Sequence, residues 1–129
     1  MINEILLGGL MLISPVNAKE PIPIFDEHSA ECLALNMYHE ARGQGTAGLL
    51  AVSSVVMNRV KDERFPNTIC EVIKQAQTKP SWKDKTKMIP IRDKCQFSWF
   101  CDGKSDVPTD KKTYKRLLTI AKTLLYNDV

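Results

Sequence analysis

The sequence predicts a mainly α (α+β) single domain of about four helices and a small β element. Three observations lead there. Apolar residues recur at helical spacing through residues 32–59 and again through 114–125. One stretch, 95–103, alternates aromatic with polar side chains as a short strand or hairpin arm would. The chain has 129 residues, 43% hydrophobic and 26% charged, which suits one ordinary globular domain with a modest core.

The first residues stand apart from that domain. Residues 5–13 (ILLGGLMLI) form an apolar run too short to span a bilayer as a helix. Val16-Asn17-Ala18 follow with the small-x-small spacing of a signal-peptidase site, although the n-region carries Glu4 and no basic residue. Residues 1–18 are read as a signal peptide or membrane-tethering arm, the alternative being a segment packed on the domain. Residues 19–30, with Pro21 and Pro23, read as a linker. The expectation is an exported chain, periplasmic or extracellular, that meets a membrane only through this N-terminal segment if it is retained.

The first helix is expected to be capped by Ser29, with Glu31 in its first turn. Leu33, Ala34, Met37, Tyr38 and Ala41 share one broad apolar face, and Glu40 lies beside Leu33 at its margin. Gly43 is expected to end the helix in a left-handed conformation, with Gly45 keeping the turn tight. Thr46 would then cap a second helix whose apolar positions are Leu49, Val52, Val56 and Val60. A carboxylate at a core margin is partly desolvated, which raises its pKa and lets it hold a proton for delivery. Glu40 is therefore the candidate acid. The competing reading is a solvated surface residue paired with a Lys or Arg.

Residues 61–66 (KDERFP) form a polar connection ending at proline. Thr68-Ile69-Cys70-Glu71 is a capping box that opens a short helix to about residue 76. Residues 77–94 carry six basic residues, two prolines and Trp82, and read as an irregular or hairpin-like excursion. Its tryptophan could stack on a sugar ring, or the loop could be simply a solvated surface. Thr109 and Asp110 open the last helix, to about Asn127, with Tyr114, Leu117, Ala121, Leu124 and Leu125 as its apolar stripe.

Cys32, Cys70, Cys95 and Cys101 are even in number, which in a short exported chain points to two disulfides; three pairings are open. No C-x-x-C occurs and there are two histidines, so neither a metal nor any other cofactor is expected. The formal net charge of +3 suits an anionic polymer such as a bacterial wall, the alternative being a basic balance with no specific partner. No nucleic-acid-binding signature is seen, and a monomer is expected.

Four segments in order carry a resemblance: Tyr38-His39-Glu40-Ala41-Arg42-Gly43, Val55-Val56-Met57-Asn58-Arg59-Val60, Phe65-Pro66-Asn67-Thr68-Ile69-Cys70 and Cys95-Gln96-Phe97-Ser98-Trp99. Together they resemble the SleB-like cell wall hydrolases, the catalytic domains of spore-cortex-lytic enzymes, which also occur in phage endolysins. The resemblance covers about residues 31 to 127. It implies a lysozyme-like fold at residues 31–129 and peptidoglycan as substrate. The implied reaction is glycan-strand cleavage, typically as a lytic transglycosylase. The family's catalytic Glu, in E-A-R-G, falls on Glu40. The family pattern often continues with a second Glu, where this chain has Gln44, which can be neither base nor nucleophile.

The remaining motif residues are candidates for substrate binding: Gln96, Ser98, Trp99, Asn58 and Tyr38. On a strand, Gln96 and Ser98 would face one way and Phe97 and Trp99 the other. Asp102 is the candidate second carboxylate, its alternative being a turn-forming Asp before Gly103. Arg42 is expected to brace the helix–turn–helix, and His39 to be solvated. Two other classes compete with a glycosidase. A stem-peptide amidase or peptidase would want a zinc site or a Cys–His pair, and no H-E-x-x-H is present. A non-catalytic wall-binding module would keep the fold without the chemistry.

Overall fold

The computed structural model describes residues 26–127. The expected signal or tether, residues 1–18, lies outside the described residues. In chain order the elements are α1 (Glu27–Ala41), α2 (Thr46–Val60), α3 (Ile69–Ile73), β1 (Ala76–Pro80), β2 (Met88–Cys95), a 3-10 turn (Ser98–Cys101) and α4 (Lys111–Asn127). This is the mainly α, α+β domain that the sequence predicts, with four α-helices and one two-stranded antiparallel sheet among the described residues.

α1 is the centre of the domain. Eight of its 15 residues are buried, and α2, α3 and α4 all pack on it. Leu33 and Met37 are fully buried among Leu49, Val56 and Val60 of α2, Ile69, Val72 and Ile73 of α3, and Leu117 and Ala121 of α4. Fully burying each large aliphatic side chain contributes about 1.5–3 kcal/mol. α4 runs antiparallel to α1. The Glu27 carboxylate pairs with Lys122 Nζ at 3.3 Å at one end, and the Asp110 N–H donates to the Tyr38 hydroxyl at 3.0 Å at the other.

Local chemistry explains where the helices begin and end, and corrects several expectations. α1 starts at Glu27, inside the expected linker, because Asp26 is the N-cap rather than Ser29. The Asp26 carboxylate accepts from the His28 N–H at 3.1 Å, and the Ser29 hydroxyl is itself a donor to it at 3.0 Å. α1 ends at Ala41 with Arg42 still right-handed (φ −61°), and Gly43 has no positive φ. The Arg42 guanidinium reaches back one turn to the Tyr38 hydroxyl, while the Gln44 N–H donates to the Ala41 carbonyl at 3.0 Å. A turn closed that way needs no left-handed residue. Extended Gly45, not Thr46, is the N-cap of α2; its carbonyl accepts from the Gly48 and Leu49 N–H groups.

Thr68 caps α3 as expected, and Glu71 meets its hydroxyl rather than its backbone N–H. The Glu71 N–H donates to Thr68 Oγ1 at 3.2 Å and Thr68 Oγ1 donates to the Glu71 carboxylate at 2.8 Å. The helix it opens stops at Ile73, and the excursion after it is a true hairpin. Five steps along β2 (Pro90 to Cys95) answer two along β1 (Ala76 to Thr78), so β2 bulges there, with Asp93 at φ 62°.

The disulfides are Cys32–Cys70 and Cys95–Cys101. The first ties α1 to the start of α3. The second explains why 95–103 is not a strand. Six residues fully extended would span about 20 Å, whereas the bridged Cα atoms are 6.1 Å apart. The chain between them must coil, and it does so as the 3-10 turn. The Asp110 carboxylate caps α4, accepting from the Thr113 N–H at 3.0 Å and the Thr113 hydroxyl at 2.6 Å.

Two expected outcomes follow from this framework. Loop-closure entropy assigns about 4 kcal/mol to the 38-residue separation of Cys32–Cys70 and about 2 kcal/mol to the six-residue separation of Cys95–Cys101. Urea unfolding of the double alanine variants should preserve that order, and equal losses would contradict it. The hydrogen bonds from Thr113 hold the Asp110 carboxyl below its ordinary range. A depressed acid stabilises the fold above its unfolded pKa and loses that contribution as pH falls through the folded one. Asp110→Asn, which can still cap but cannot ionise, should therefore start from a lower Tm at neutral pH and lose less of it on acidification, the two proteins converging in acid.

Candidate active site

The last turns of α1 set the site. Helical spacing places Glu40 one turn beyond Asn36 on the same side, with His39 on the adjoining strip. Asn36 is fully buried, and its Oδ1 accepts from the Trp99 indole N–H at 2.8 Å. The Asn36 Nδ2 has no hydrogen-bond partner among the described residues. The His39 ring stacks on Trp99 with centroids 4.7 Å apart and planes within 16°. His39 Nε2 lies 2.9 Å from the Asp106 carbonyl oxygen, which can only accept, so the ring carries its hydrogen on Nε2. His39 is therefore a half-buried, oriented side chain rather than the solvated one expected.

Trp99 is 6% exposed, so most of its ring meets the protein and little is left for a sugar. The Cys95–Cys101 bridge brackets it and holds the 3-10 turn over α1. Tyr38, also a candidate for substrate binding, is buried with its hydroxyl at a junction. Arg42 Nη1 and the Asp110 N–H donate to it, and the Thr109 hydroxyl lies at 3.4 Å. The Arg42 guanidinium also sits 4.5 Å from the Tyr38 ring centroid. The Thr109 hydrogen bond foremost, then the Asp110 N–H, lowers the Tyr38 phenol below its ordinary value. Tyr38 and Arg42 thus strap the end of α1 to the start of α4.

Glu40 is exposed, which corrects the expectation of a carboxylate desolvated at the core margin. It stands in the last full turn of α1, just before the chain turns away into Gly43–Gly45. Gln96 and Ser98 are exposed, as expected, but on the 3-10 connection instead of one strand face. Gln96 borders an open cavity of about 450 Å³ with Gln75, Gln77 and Lys94. Asn58 is exposed elsewhere. It lines a groove of about 290 Å³ between α2 and α4, with Leu50, Ser53 and Leu124, and Glu40 borders neither space.

Asp102 does form the turn: its carboxylate accepts from the Lys104 N–H at 2.8 Å, before Gly103 at φ 83°. The carboxylate that sequence reasoning missed is Asp106. Burial foremost pushes its carboxyl up; His39 and Lys74 pull it down, and the Asp102 charge raises it further. Asp102, Asp106 and His39 therefore lie within one electrostatic neighbourhood, and of these His39 is next to Glu40 in the chain. The one hint was a third acid in the Asp102–Asp110 segment, spaced four residues from each neighbour.

Comparison with known proteins bears on what this arrangement does. Residues 43–128 match the model of a family described as Cell Wall Hydrolase. That match begins just beyond Glu40. The spore cortex-lytic enzyme of Bacillus cereus is 37% identical over 49 residues, which cover 38% of this chain and 19% of that protein. The spore cortex-lytic enzyme of Bacillus subtilis (strain 168) is also 37% identical over 49 residues, 38% of this chain and 16% of that protein. The chain thus spans less than a fifth of the length of these curated relatives. No solved structure matches significantly.

The Asn36–Trp99 bond gives a stability test. Trp99→Phe leaves the buried Asn36 amide with neither oxygen nor nitrogen partnered and should cost about 1–3 kcal/mol in urea unfolding. Adding Asn36→Leu, which removes the orphaned amide, should recover part of that loss.

Proposed function

Because the chain belongs to the cell wall hydrolase family, we propose that it cleaves the glycan strands of peptidoglycan as a lytic transglycosylase, with Glu40 as both acid and base. The observation that carries this reading is the position of Glu40: an exposed carboxylate in the last turn of the central helix, next in the chain to His39, whose ring stacks on Trp99. Protonated Glu40 donates to the glycosidic oxygen between N-acetylmuramic acid and N-acetylglucosamine. As carboxylate it then accepts the proton of the muramic hydroxymethyl group, whose oxygen closes an anhydro ring on the oxocarbenium-like carbon. Water is not consumed, and no second carboxylate is required.

The exposure of Glu40 leaves its carboxylate open to a glycan laid over the end of α1, which would exclude water from the reacting bond. Gln96 and Ser98 are free to hydrogen-bond N-acetyl and hydroxyl groups from the 3-10 connection. The basic balance of the chain favours a polymer bearing peptide carboxylates. Export to the wall, with residues 1–18 as signal or tether, and action as a monomer complete this reading.

A second reading has one observation in its favour. Asp106, half-buried, lies with its carbonyl on His39, the neighbour of Glu40 in the chain, and is a second carboxylate of the residue type that a water-activating muramidase needs. Hydrolysis would leave reducing muramic ends, and transglycosylation leaves anhydro ends.

Digestion of purified peptidoglycan followed by mass spectrometry separates these outcomes. Wild-type protein should yield anhydro-muramic ends, and Glu40→Gln should lower the rate by about 10²–10⁴-fold. Because Glu40 is exposed, its variant should keep the parent Tm. Reducing ends that disappear in Asp106→Asn or Asp102→Asn would establish the muramidase. Free stem peptides, or an undiminished Glu40→Gln, would overturn the glycosidase reading altogether.

A further inference from the structure

The β-hairpin tip is a feature that the proposed reaction does not use. Residues 79–88 hold four lysines and one aspartate, a formal +3. The whole chain is also +3, so its entire charge surplus is concentrated in these ten residues and the remainder is balanced. Trp82 is 80% exposed and Met88 57% exposed, both on this tip. The turn is ordered by its own hydrogen bonds. The Ser81 N–H donates to the Lys87 carbonyl at 2.8 Å and the Lys87 N–H to the Asp84 carbonyl at 3.0 Å. Ser81 Oγ accepts from the Lys83 and Asp84 N–H groups, and the Asp84 carboxylate accepts from the Thr86 N–H and hydroxyl.

From this we propose that the hairpin tip is a docking surface for an anionic lipid bilayer. A tryptophan that reads a sugar works beside side chains that hydrogen-bond the hydroxyls around it. Here Ser81, Asp84 and Thr86 are spent within the turn, and Trp82 stands on a convex point. What the tip offers is non-directional: an indole, a thioether and a ring of lysines. Tryptophan settles at the headgroup level of a membrane, with its ring among acyl chains and its N–H wet. Lysines beside it reach anionic headgroups with their ammonium groups while their stems lie on apolar surface. The cation of Lys83, 5.7 Å from the Trp82 ring centroid, is already placed beside the inserting group. This contact is separate from any made by the apolar run at residues 5–13, which carries no charge.

Co-sedimentation of the full chain with vesicles tests it. Vesicles of phosphatidylcholine mixed with phosphatidylglycerol should bind it more tightly than phosphatidylcholine alone, and added salt should erase the difference. Replacing Lys79, Lys83, Lys85 and Lys87 with Gln should cost about 1,000-fold in the affinity for anionic vesicles. It should leave any binding to neutral vesicles unchanged. Trp82 fluorescence should shift to the blue on anionic vesicles and vanish as a reporter in Trp82→Ala, since Trp99 is already buried. Equal binding to both vesicle types, or a lysine variant that binds as the parent does, would overturn the proposal. A Trp82 shift on isolated peptidoglycan and none on vesicles would overturn it in favour of a wall contact. All the substituted residues are exposed, so unchanged Tm values verify that each variant is folded.

Discussion

One helix, α1, is packed on by the other three, and this constraint shapes the whole domain. α1 gives Leu33, Ala34, Met37 and Ala41 to three other helices and Asn36 to the 3-10 turn. Past Ala41 the chain leaves the core, and Glu40 is the acid that remains in water at that end. The same enclosure fixes the direction in which Glu40 points. A helix anchored by the Cys32–Cys70 bridge on one side and by α4 on another cannot roll about its axis. Rigid elements hold catalytic groups more accurately than loops do.

The segment from Cys95 to Asp110 is a cover laid across the exposed strip of α1. It has little regular structure, so its order comes from specific contacts. These are the Trp99 indole on Asn36, the same ring stacked on His39, and His39 bonded to the Asp106 carbonyl. A buried indole N–H must find a partner, and an aromatic stack adds about 0.5–1.5 kcal/mol beyond its buried area. The cover therefore couples a polar requirement to an apolar gain. It also explains why a carboxylate in an irregular loop, Asp106, becomes partly buried.

Much of this was legible in the sequence, and what was not shares a cause. The faces of α1, α2 and α4 follow from periodicity, because Leu33, Leu49, Val56 and Leu117 sit where a 3.6-residue repeat places them. The Thr68–Glu71 contact was legible because both partners are three residues apart. The Asn36–Trp99 bond joins residues 63 apart, and the His39–Asp106 bond joins residues 67 apart. No local pattern encodes either. The reading of 95–103 as a strand weighed alternation alone. A bridge across six residues overrides alternation, and the pairing that imposes it was one of three left open. Asp26 displaced Ser29 as cap because two capable side chains stood close together, and propensity does not say which one meets the first free N–H. At the candidate site, the identity and end-of-helix position of Glu40 were readable, but its openness to water was not, since that depends on which elements stop short of it.

The antiparallel pairing of α1 and α4 has a consequence for how such a domain is carried. The Glu27–Lys122 ion pair shows that the described chain enters and leaves at the same pole. Glu40 lies at the opposite pole, about 20 Å along a helix of this length. Anything spliced to either end of the described chain, or a host chain into which the unit is inserted whole, thus attaches at the pole away from Glu40. The domain has the geometry of a portable head, with the ends of the described chain at one pole and Glu40, the proposed acid, at the other.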